Sequence, residues 1–124
     1  MFCRIYTFIN EQEIESWINL IAELIAAEVI DSKYVDKSGF LLEIRRNEDY
    51  DKQKAKEFPD GFLYFPFCIE IEIDELIISP STISDINKIL KKLWDNKKAA
   101  VTSSPFEQLL SKSGGYKNRE TPWI

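Results

Sequence analysis

From Phe67 the chain alternates strictly. Phe67, Ile69, Ile71 and Ile73 fall on one side, and Cys68, Glu70, Glu72 and Asp74 on the other. A side-chain period of two belongs to a β-strand. Residues 61 to 74 therefore predict one long strand with an oily face and an acidic face. Pro66 lies inside that stretch and cannot donate a ladder hydrogen bond, which implies a bulge, a break or an edge position. Residues 2 to 9 are rich in aromatic and β-branched side chains and predict a first strand. Phe40, Leu42 and Ile44 alternate with Leu41, Glu43 and Arg45, a further strand.

Between the strands the period changes. Asn10 with Glu13 has the spacing of a capping box. Ile14, Trp17, Ile18, Ile21, Leu24, Ile25 and Val29 then recur at helical spacing, predicting a helix to about Ile30. Residues 31 to 38 form a polar connection. Residues 47 to 60 have no apolar period and predict a mobile loop, closed by the Pro59-Asp60-Gly61 turn. Ser79 with Pro80, or Ser81, caps a second helix whose buried stripe is Ile83, Ile86, Ile89, Leu90 and Leu93. Residues 99 to 102 predict a short strand. Ser104, Pro105 and Glu107 open a short last helix that ends before Gly114-Gly115.

The order is β-α-β-β-α-β, that of a ferredoxin-like α+β fold. It predicts an antiparallel sheet with two main helices on one face, an open opposite face and a short C-terminal helix. Its third strand is central, which makes Pro66 awkward. The 124 residues imply one domain over residues 1 to 113 and a loose tail over 114 to 124, where Trp123 is a candidate for docking.

Composition narrows the classes. At 44% hydrophobic and 30% charged, the chain is too apolar for disorder and too charged for a membrane protein. No signal-peptide pattern opens it, and the expected location is the cytoplasm. The net charge of −5 opposes general binding to nucleic acid or anionic lipid and suits a basic protein partner. Cys3 and Cys68 predict buried small hydrophobes in a reducing compartment. A bond between them stays open if the first and third strands are neighbours.

Little catalytic chemistry is available. The chain has no histidine, which removes the commonest general base and metal ligand. It has no glycine-rich phosphate loop. Glu70 and Glu72 stand about 7 Å apart along a strand, a spacing open to acid-base work, to calcium, or simply to a solvated polar face. The expectation is a binding protein rather than an enzyme, with no cofactor, no metal and no catalytic residues. Charge is uneven. Residues 43 to 75 hold ten acidic and five basic side chains, whereas residues 88 to 119 hold eight basic and two acidic ones. That map has two readings: steering of a basic partner, or internal charge balance. Phe62 and Tyr64 are interface anchors if exposed and core residues if a bulge at Pro66 flips the register.

The segment Asp60-Gly61-Phe62-Leu63-Tyr64-Phe65-Pro66 with its acidic alternation resembles small immunity proteins of bacterial contact-dependent growth inhibition and related polymorphic toxin systems. So do Ile89-Leu90-Lys91-Lys92-Leu93-Trp94, Ala99-Ala100-Val101 and Pro105-Phe106-Glu107. The resemblance covers roughly the second half of the chain. It implies an inhibitor that binds a cognate toxin domain, often a basic nuclease, and blocks its active site or substrate channel. The surface it would use is Glu43, Glu48, Asp49, Asp51, Asp60, Tyr64, Glu70, Glu72 and Asp74. The alternative is a small ligand-sensing or regulatory module that dimerises through its open sheet, which the like-charged row disfavours.

Overall fold

The computed structural model describes residues 1 to 124. Six strands form one antiparallel sheet: β1 (Phe2–Thr7), β2 (Glu28–Ile30), β3 (Tyr34–Lys37), β4 (Phe40–Arg46), β5 (Phe67–Ile73) and β6 (Ala100–Ser103). Their spatial order is β2-β3-β4-β5-β1-β6. Two main helices, α1 (Ile14–Leu24) and α2 (Pro80–Asp95), complete an α+β domain. The alternation in β5 places Ile69, Ile71 and Ile73 against the helices. There they meet Cys3 and Ile5 of β1, Leu42 and Ile44 of β4, Trp17, Ile18 and Ile21 of α1, and Ile86, Ile89, Leu90 and Leu93 of α2. Both helices therefore pack on one face of the sheet.

The first helix ends earlier than its apolar spacing predicts. It stops at Leu24, and residues 28 to 37 form a hairpin where more helix and a polar connection were expected. Ala26 takes the left-handed conformation (φ 55°). The Ala27 N–H donates to the Ala22 carbonyl at 2.9 Å and the Ala26 N–H to Glu23 at 3.4 Å. These two bonds are the pair that closes a helix in a Schellman motif. Beyond them, Asp31 and Ser32 also have positive φ (54° and 57°), and the Lys33 N–H donates to the Ile30 carbonyl at 3.1 Å. Two central residues at positive φ make the tight turn whose twist suits a hairpin. The β2–β3 hairpin extends the sheet past β4.

Pro66 is not in the ladder. Residues 60 to 64 form a 3-10 turn, and β5 begins only at Phe67. Pro66 instead offers its carbonyl to the Asn47 N–H at 2.8 Å. Residues 47 to 60, expected as a mobile loop, are tied in place. The Asn47 side chain donates to the Leu63 and Phe65 carbonyls at 2.8 and 2.7 Å. Gly61 lies so close to the turn at residues 54 to 56 that a Cβ would stand 2.6 Å from the Lys54 carbonyl oxygen.

The face opposite the helices, expected to be open, is half covered. Phe62 and Phe65 pack there with Ala55, Ala99 and Val101, flanked by Tyr6, Phe8, Tyr116 and Trp123. Phe62 is buried, with its ring edge-on to Tyr6 at 5.6 Å. In place of the short last helix stand a 3-10 turn at Glu107–Leu109 and a left-handed turn through Lys112, Ser113 and Gly114 (φ 54°, 52° and 70°), the second lying against β6. The tail residue Trp123 docks 5.1 Å from Phe65 and 5.2 Å from Phe58, centroid to centroid.

Candidate protein-binding face

Sheet register decides which side chains share the uncovered half of the outer face. Glu72 stands between Phe2 of β1 and Leu41 of β4, and Leu41 lies beside Asp36 of β3 and then Glu28 of β2. One step along the strands, Glu70 stands between Arg4 and Glu43, followed by Tyr34 and Ile30. The next step places Cys68 between Tyr6 and Arg45. Phe2, Leu41 and Ile30 are exposed. The result is a mixed surface of carboxylates and apolar side chains, with two guanidiniums set into it.

Those guanidiniums change the meaning of the acidic row. Arg4 Nε lies 3.1 Å from Glu70 Oε2 and Arg45 Nη1 lies 3.7 Å from Glu70 Oε1. Glu70 is thus held from both neighbouring strands, which offsets the like-charge contact with Glu43. Glu43 and Glu72 make no ion pair, and their charge faces solvent unspent. Arg46, on the helix side of β4, pairs with Glu11 ahead of α1.

The structure brings together only some of the residues expected at a binding surface. Glu43, Glu70 and Glu72 share the outer face. Asp74 follows directly at the end of β5, exposed, its N–H donating to the Gly39 carbonyl at 2.9 Å. Glu48 and Asp49 border a cleft of about 200 Å³ with Arg4, Arg45 and Cys68. Asp51 accepts from the Lys54 and Gln53 N–H groups at 3.0 and 2.9 Å, and these bonds, that from Lys54 foremost, lower its carboxyl pKa. Asp60 accepts from the Tyr116 hydroxyl at 2.7 Å. Tyr64 lies under the Lys54 ammonium, 5.1 Å from the ring centroid. These last three serve the segment that covers the other half of the face. Sequence reasoning left out Phe2, Arg4, Asp36, Leu41 and Arg45. The alternation in residues 40 to 46 put Leu41 and Arg45 with Glu43, but only strand pairing sets them beside Glu72 and Cys68.

Cys3 and Cys68 point to opposite sides of the sheet, since Cys3 pairs with Ile71 and Cys68 with Tyr6. Both are free and buried, and burial pushes each thiol up to about 12. No group of three or more Cys, Asp or Glu side chains converges as metal ligands would. No helix is long and apolar enough to cross a membrane. Compared with known protein families, curated proteins and solved structures, the chain matches none.

Proposed function

We propose that this protein is an immunity-type inhibitor whose outer sheet face binds a basic partner domain, in the first instance a nuclease toxin, and covers its active site or substrate channel. The observation that carries the reading is the composition of that face. On β2 to β5 and the adjoining β1 it presents five carboxylates (Glu28, Asp36, Glu43, Glu70, Glu72) against two guanidiniums (Arg4, Arg45). Exposed Phe2, Leu41 and Ile30 lie among them. Acidic groups steer a basic partner into register, and apolar side chains give it area to bury. A toxin groove built for phosphate would meet carboxylates in the phosphates' place.

On this reading the protein acts in the cytoplasm, without cofactor or metal, as a binder and not an enzyme. We also read β1, β4, β5 and β6 with α1 and α2 as a ferredoxin-like unit extended at one edge by the β2–β3 hairpin.

The test is capture of the partner with tagged protein, followed by titration of the purified pair. Glu43→Lys with Glu72→Lys should weaken binding at least tenfold and flatten its salt dependence. Lys91→Glu with Lys92→Glu, on α2 behind the sheet, should leave affinity within about twofold. Equal losses from both pairs would remove the outer face as the interface. A protein that is dimeric by light scattering and retains no partner would favour a homodimeric sensing module.

A further inference from the structure

Leu76 and Ile77 are 99% and 86% exposed. They lie between the end of β5 and the Ser79 cap of α2. The next residue, Ile78, packs against the core, so the chain turns inward immediately after them. The loop is held on both sides. Glu75 Oε1 accepts from the Thr82 hydroxyl at 2.7 Å, and Ser79 Oγ accepts from the Thr82 N–H at 3.2 Å. Two large aliphatic side chains thus stand in water on a short loop whose two ends are tied to Thr82. Adjacent exposed apolar groups of this kind mark interaction sites, and loop ends already tied lower the entropy lost on binding.

The surrounding charge selects the occupant. Asp74 and Glu75 immediately precede the pair, and the cleft beside them is lined by these two, Asp85 and Lys37, whose ammonium is taken up by Asp85 at 2.9 Å, so the flank stays net acidic. That flank is repelled by an anionic lipid surface, which attracts basic segments. It is repelled equally by a second copy of itself. It complements an apolar cleft rimmed by Lys and Arg. The loop starts two residues beyond Glu72 of the outer face, at the end of the sheet, and leads to α2.

We propose that Leu76 and Ile77 are the apolar anchor of the interface, inserting together into an apolar cleft bordered by basic side chains on the partner protein. This rests on the reading of the outer face as the surface that meets a basic protein. The acidic face sets encounter and orientation, and the anchor slows dissociation.

The experiment places p-benzoylphenylalanine at position 77 in one variant and at position 43 in another, with irradiation in the source cells. The partner so identified is then titrated against Leu76→Ser/Ile77→Ser. Adducts from both positions to one basic protein support the proposal when the position-77 adduct maps to apolar residues and the double variant binds about 100-fold more weakly. The melting temperature of that variant should be unchanged, because both side chains are already in water. An adduct from position 43 alone, or double-variant affinity within threefold of the parent, overturns the anchor and leaves the face standing. A basic protein captured from position 77 alone supports the anchor and overturns the face. Position-77 adducts to a second copy of the chain or to lipid overturn the anchor. No protein adduct from either position overturns both.

Discussion

Cys3 and Cys68 lie on opposite faces of the sheet and show that burial, whichever the face, sets a thiol's chemistry. An unperturbed thiol ionises near 9, and burial moves both of these to about 12. Between those values the unfolded chain loses its thiol protons while the folded chain keeps them. Stability from this source is therefore full below about pH 9 and falls as pH rises toward 12. The native protein should resist a disulfide-exchange thiol reagent at pH 8 and take up two equivalents once unfolded in guanidinium. The loss of stability above pH 9 should be shallower in a Cys3→Ala/Cys68→Ala variant. Rapid labelling of either thiol in the native protein would contradict their burial. Both cysteines were legible in sequence as buried small hydrophobes. That Glu70 is clasped by Arg4 and Arg45 was not, because Arg4 lies 66 positions away in the chain.

At the scale of elements, helix starts were easier to read than helix ends. Of the two starts the sequence allows for α2, Ser79 with Pro80 is the one used, with the Thr82 N–H donating to Ser79 Oγ. Both helices, however, close through a non-glycine residue in the left-handed conformation. Ala26 (φ 55°) closes α1. Lys97 (φ 63°) closes α2, with the Lys98 N–H donating to Leu93 at 2.9 Å and the Lys97 N–H to Trp94 at 3.0 Å. An L-residue there costs on the order of 1–2 kcal/mol relative to its right-handed form, and glycine is nearly free of that cost. Ala26→Gly and Lys97→Gly should each raise stability by about 0.5–1 kcal/mol in urea titration. A drop in stability from Ala26→Gly would place the end of α1 elsewhere. Because no glycine marks residue 26, the apolar spacing through Val29 carried the predicted helix past its true end. Val29 instead joins the edge strand β2, opposite Val35.

At the scale of the molecule, the covered half of the outer face links three distant stretches. The tail brings Trp123 against Phe65 and Phe58, and the Trp123 indole N–H donates to the Lys56 carbonyl at 3.4 Å. Tyr116 stacks edge-on to Phe62 at 5.8 Å and donates its hydroxyl to Asp60. Replacing Trp123 with Ala should cost about 1–3 kcal/mol, below the range for a fully buried aromatic because this ring is only partly covered. Removing residues 114 to 124 should cost more. An unchanged urea midpoint for both variants would show that the tail adds nothing to the fold. The sequence by itself determined the existence and order of the strands β1, β4, β5 and β6 and of the two helices, with the alternation of β5 from Phe67 and the buried stripe of α2, since these rest on local period and caps. Tertiary structure alone decided where α1 yields to a hairpin, which half of the outer face is covered, and which carboxylates remain free of arginine. Those outcomes depend on register between strands far apart in the chain and on packing between loop and tail, and neither leaves a periodic trace in the order of residues.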